Sequence, residues 1–114
     1  MIRNKTLQKI GVGGLGWLLL LLSCSPAPTK NKAKLYTVEI KQMQFQPATL
    51  YLHKEDTVQF INRDLVAHNA TETTRKSWAS PTLATVNSWK IVVQQSADYY
   101  CTIHVVMKGK IVVQ

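Results

Sequence analysis

From Leu35 onward the chain is written in short runs that alternate apolar and polar residues. Tyr36-Thr37-Val38-Glu39-Ile40 and Thr57-Val58-Gln59-Phe60-Ile61 both repeat with period two, the second with Val58 and Phe60 on one face. Ser88 to Gln94 sets Trp89, Ile91 and Val93 against Lys90, Val92 and Gln94. Thr49 to Leu52, Ala97 to Thr102 and Lys110 to Val113 read as further strands. No stretch here holds the period of about 3.6 residues that an amphipathic helix needs. Roughly six to eight short strands with turn signals and no internal repeat predict an all-β domain, a Greek-key β-sandwich or barrel. His53-Lys54-Glu55-Asp56 predicts a hairpin turn, and Glu55 within it predicts a turn without positive φ at that residue. Residues 70–87 are polar and rich in Thr and Ser, with Trp78 and Pro81 as anchors, and predict a long connection with room for one helical turn.

The first 23 residues follow a different pattern. Arg3, Lys5 and Lys9 precede an apolar run from Leu15 to Leu22, too short for an ordinary transmembrane helix, and the run ends at Ser23-Cys24. This resembles a bacterial lipoprotein signal, with Cys24 as the acylated residue. The chain therefore divides into a signal segment 1–23, a tether 24–34 containing Pro26, Pro28 and three lysines, and a folded domain 35–114. The expected location is the periplasmic or cell-envelope face of a bacterial membrane, with the lipid as anchor.

This division changes the meaning of the charge. The formal net charge is +8, but without Arg3, Lys5 and Lys9 it falls to +5, and residues 35–114 carry +2. A nearly neutral, exported domain argues against nucleic-acid binding. The basic tether suits anionic lipid headgroups. Two cysteines in an exported chain would ordinarily suggest a disulfide. With Cys24 given to lipid and Cys101 to a metal, the domain rests on its core and that metal.

The candidate chemistry lies between Tyr99 and Gly109, where Y-Y-C-T-I-H-V-V-M-K-G brings a thiolate (Cys101), an imidazole (His104) and a thioether (Met107) close in sequence. Such donors favour copper over hard, oxygen-seeking cations, and two histidines with one cysteine and a weak axial methionine make a blue-copper set. His68, in N-R-D-L-V-A-H-N, is the candidate second histidine.

At these residues the chain resembles the cupredoxins of the plastocyanin and amicyanin type. The resemblance spans about Leu35 to Gln114. It rests on Met43, Phe45 and Pro47 in M-x-F-x-P; Asn62, Asp64, His68 and Asn69; Tyr99 and Cys101; and the Cys101 to Met107 loop. The two-residue gap between His104 and Met107 looks most like amicyanin. The resemblance implies one copper ion held by His68, Cys101, His104 and axial Met107, the histidines binding through Nδ1 and leaving each Nε2 free. It implies that Asn69 ties the two ligand loops together, that a backbone N–H near it reaches the Cys101 sulfur, and that Thr102 answers. It also implies that His104 lies at a surface framed by Val105 and Val106, where a redox partner such as a c-type cytochrome or a copper or haem oxidoreductase docks on a monomer. Ile103 departs from the Pro common in amicyanin-like loops, and adds an N–H donor near the sulfur.

Ordinary roles are expected elsewhere: His53 at a strand end, Trp78 and Trp89 in packing, Tyr99 as a hydrogen-bonded tyrosine corner, and Lys108 and Lys110 solvated. The leading function is one-electron transfer without enzymatic catalysis. The alternative is a copper-binding or delivery protein of the same fold. A hydrolase built on Cys101 and His104 lacks an orienting group other than Asn69 and leaves Met107 unexplained.

Overall fold

The computed structural model describes residues 32–114. The signal segment, Cys24 and the tether through residue 31 lie outside the described residues. Among those described there are eight strands and no helix: β1 (Leu35–Lys41), β2 (Gln44–Gln46), β3 (Thr49–Leu52), β4 (Thr57–Asn62), β5 (Thr71–Glu72), β6 (Ser88–Val92), β7 (Ala97–Tyr100) and β8 (Lys108–Val113). They form two four-stranded sheets in the orders β2-β1-β4-β6 and β3-β8-β7-β5. The pairs β1–β4 and β3–β8 are parallel, and the others antiparallel. The all-β sandwich predicted by the alternating runs is the observed architecture.

The alternation places the core. Val38 and Ile40 of β1, Phe45 of β2, and Val58 and Phe60 of β4 are buried against Leu52, Tyr99 and Ile111 of the other sheet. Each such side chain contributes about 1.5–3 kcal/mol relative to exposure. The sheets meet through aromatic rings: Tyr99 packs edge-on against Phe45 at 4.7 Å and Phe60 at 5.2 Å between centroids. Trp78 and Trp89 pack against Phe60 at 6.1 and 6.3 Å, as expected of packing residues. Tyr99 also lies across its partner Gly109 on β8, where an added Cβ would overlap the phenol ring. Its buried hydroxyl has no hydrogen-bond partner, so the expected hydrogen-bonded tyrosine corner is not formed; the ring is used for packing.

Three further expectations are corrected. Segment 53–56 joins β3 and β4, which belong to different sheets, so it is a crossing between layers and not a hairpin. Glu55 adopts φ 81°. The reason lies in its neighbours: the Glu55 N–H donates to Val93 O at 2.8 Å, while the buried Asp56 carboxylate accepts the His53 and Lys34 N–H groups, each at 2.8 Å. Those bonds hold the Asp56 carboxyl below its usual range, the His53 amide foremost. They also fasten the chain from Lys34 onward. Residues 70–87 contain no helical turn; the short strand β5 and the bridges His68–Leu83 and Thr71–Ala79 hold this stretch extended.

Candidate metal centre

Two loops at one end of the sandwich carry the candidate ligands. The first leaves β4 and reaches His68. Asn62, fully buried, donates from Nδ2 to the carbonyls of Val66 and Leu83, both at 2.8 Å, and accepts the Asp64 N–H at 2.9 Å. Thr85 Oγ1 donates to Asp64 O at 2.8 Å. His68 exchanges both backbone bonds with Leu83, at 3.2 and 2.7 Å, and Ala70 is held by the Ser80 hydroxyl at 2.9 Å. His68 therefore sits on backbone fixed from both sides.

The second loop joins β7 to β8. It is short enough to close on itself: Cys101 N–H donates to Met107 O at 3.1 Å, and Met107 N–H to His104 O at 3.0 Å. This closure gathers Cys101, His104 and Met107. Cys101 and Met107 are buried, and Met107 belongs to the hydrophobic core cluster.

The candidate ligand atoms of His68, Cys101 and His104 lie within 4.8 Å of one another. Cys101 Sγ stands 3.8 Å from His68 Nδ1, and the two imidazole rings are 4.9 Å apart, tilted by 60°. His104 Nδ1 is buried without a hydrogen-bond partner. Such an orphan is costly in a finished interior; beside a thiol and a second imidazole it fits a metal ligand. The donor set, with Met107 at the same site, fits one copper ion.

Hydrogen bonds predicted between the loops are present. The Asn69 N–H reaches Cys101 Sγ at 3.4 Å, its Nδ2 donates to Thr102 Oγ1 at 2.7 Å, and its Oδ1 accepts the Thr102 N–H at 3.0 Å. The Ile103 N–H, expected near the sulfur, makes no bond to it; Asn69 supplies the donor. At His68 the expectation of a free Nε2 fails: that nitrogen stands 2.9 Å from Asp64 Oδ2. Burial pushes the Asp64 carboxyl up, but the Met43 and Gln42 amides and the His68 ring outweigh it and hold it below the usual carboxylate range.

Around His104, Val105 and Val106 are exposed as predicted. Sequence reasoning missed that Leu65, Val66 and Ile103 are exposed too, Leu65 at 93%. The signal was there: Leu65 and Val66 are adjacent apolar residues in the turn-rich stretch before His68, and Ile103 lies between Cys101 and His104. His53 is exposed, as expected of an ordinary strand-end residue.

Fold and site together define a copper-binding β-sandwich of the cupredoxin type. The chain belongs to the cupredoxin-like domain family, whose model matches residues 14–113. Amicyanin of Paracoccus denitrificans is 29% identical over 83 residues, covering 68% of this chain and 63% of amicyanin, so the match spans less than two thirds of that relative. The fold is similar to a reduced amicyanin variant (TM-score 0.66, 27% identity, 70% of this chain and 82% of that one). It is likewise similar to the Cu(I) form of another amicyanin variant (TM-score 0.66, 26% identity, 75% and 86%).

Proposed function

We propose that this protein is a type 1 copper electron carrier, in which Cys101, His68 and His104 would hold the ion strongly and Met107 more weakly. The observation that carries this reading is the buried trio of Cys101, His68 and the unpartnered Nδ1 of His104. A copper ion held by these residues would supply one-electron redox chemistry. The chain's own residues keep the donor positions fixed. Asn69 ties the loops together, the sandwich holds their ends, and burial of Cys101 excludes water. Fixed donors change little between oxidation states, and small reorganisation favours rapid transfer. His104, framed by Val105, Val106 and Ile103, is the exit toward a redox protein partner. The same burial argues against copper delivery, which calls for exposed, exchangeable donors.

In this reading the protein works as a monomer on the exported face of a bacterial membrane, held by lipid on Cys24 and spaced from it by the 24–34 tether. The test is to express the chain with Cys24→Ser, add Cu(II), and record visible and EPR spectra before and after ascorbate. An intense thiolate-to-copper band that bleaches on reduction, with a narrow parallel hyperfine splitting, is the expected result. A colourless protein or an ordinary tetragonal Cu(II) signal overturns it.

A further inference from the structure

The Asp64 carboxylate receives three nitrogen partners from two parts of the chain. Oδ1 accepts the Gln42 N–H at 2.7 Å, and Oδ2 accepts the Met43 N–H at 2.9 Å. Oδ2 also lies 2.9 Å from His68 Nε2. Gln42 and Met43 form the two-residue turn between β1 and β2, where Lys41 pairs with Gln44. Both have positive φ, 55° and 59°. That is the left-handed geometry of a tight hairpin, for which Asn-Gly is favoured. Here a glutamine and a methionine adopt it, at a strain of about 1–2 kcal/mol each. Two amides turned onto one carboxylate are what offset that strain. The turn is bent toward Asp64, and Asp64 toward His68.

We propose that Asp64 is a positioning residue of the copper site: its carboxylate fixes the His68 ring through Nε2–H, strengthens that imidazole as a donor, and locks it to the β1–β2 turn. With Nδ1 committed to the metal, the ring proton resides on Nε2, and a carboxylate facing that proton increases the basicity of the bound nitrogen. A stronger donor favours Cu(II) over Cu(I), so Asp64 lowers the reduction potential. The turn completes the device. By engaging both oxygens of the carboxylate, the Gln42 and Met43 amides limit its freedom to rotate away from His68. The position of a ligand is thereby tied to the β1–β2 hairpin, which flanks β4 in the same sheet.

The inference rests on the copper reading above, and the experiment separates the two. The blue band of the chain carrying only Cys24→Ser is recorded first; its absence overturns the copper reading and with it this role. Asp64→Asn is then compared by voltammetry, by the charge-transfer band, and by thermal unfolding of the copper-free protein. The expected result is a roughly tenfold fall in preference for Cu(II) over Cu(I), a rise of about 59 mV, together with weaker Cu(II) binding, by about 10- to 100-fold. Lower thermal stability with an unchanged potential would make Asp64 only a brace for the turn and overturn the proposal. If Asp64→Asn does not fold, NMR of the Cu(I) form without that change decides. A His68 Nε2–H protected from solvent exchange supports the role, and a rapidly exchanging one overturns it.

Discussion

The two loops that meet at the copper site are built on opposite plans. The loop from Asn62 to Asn69 is held by side-chain bonds to distant parts of the chain: Thr85 reaches in from just beyond Leu83, while Asn62 and Asp64 reach out to Leu83 and to the β1–β2 turn. Its ligand, His68, is fully buried. The loop from Cys101 to Met107 is held mainly by its own backbone and by Asn69, and it presents Ile103, Val105 and Val106 to solvent. One half gives the metal a fixed reference, and the other gives it a way out. The proposed carrier role needs both, because a site buried on every side is poorly coupled to a partner and a site open on every side reorganises when it changes charge.

The largest test of this contrast is removal of the thiolate. Cys101→Ser abolishes the blue band entirely, while the His68 loop, held also by Asn62, Asp64 and Thr85, keeps its amide protection in hydrogen exchange except at Asn69, whose N–H loses the sulfur. Next is Gly109→Ala, which forces a methyl group into the Tyr99 ring under the open loop. It lowers unfolding free energy by about 3 kcal/mol in denaturant titrations, and any folded fraction remains blue. Asn62→Ala strikes the fixed half instead. It leaves the Val66 carbonyl without its Nδ2 donor, at about 1–3 kcal/mol for an unsatisfied group, and leaves the Leu83 carbonyl with the His68 N–H alone; hydrogen exchange speeds up around His68 more than around His104. A double-mutant cycle of Asn69→Ala and Thr102→Ala measures the joint between halves, with an expected coupling of about 1 kcal/mol in the copper-free protein. An additive cycle would mean that the Nδ2–Oγ1 bond adds nothing to the joint. The smallest effect is expected from Ile103→Pro. Because the Ile103 N–H does not bond the sulfur, the midpoint shifts by less than about 59 mV, the equivalent of a tenfold change in affinity ratio; a larger shift in voltammetry would show that the open loop, too, tunes the metal.

The same contrast explains what could be read from the sequence. Cys101, His104 and Met107 are neighbours along the chain, and their loop is closed by bonds among themselves, so spacing alone brought them to notice. The core was legible for a similar reason, since period-two alternation in β1 and β4 marks its own buried face. His68 was legible as a residue, through the segment around it, but its Asp64 partner was not. That bond depends on where the β1–β2 turn arrives, which no local pattern encodes. Glu55 misled because its positive φ is imposed by Val93 and Asp56, not by its own preference. Tyr99 misled because a phenol beside a glycine was given a packing role where a hydrogen bond was expected. Leu65 and Val66 were simply left unread as surface.

The parallel pairings have a kinetic consequence. Leu35 of β1 pairs with Thr57 of β4, and Thr49 of β3 with Lys110 of β8, so both sheets close through contacts far apart in the chain. Sandwiches of this kind fold on a scale of about milliseconds to seconds, whereas an isolated hairpin such as β7–β8 forms in about 1–10 μs. The thiolate, one imidazole and the thioether can therefore come together well before His68 and its Asp64 support are in place. A metal ion arriving at that early stage meets a loose, incomplete site, and only the finished sandwich offers it the fourth donor.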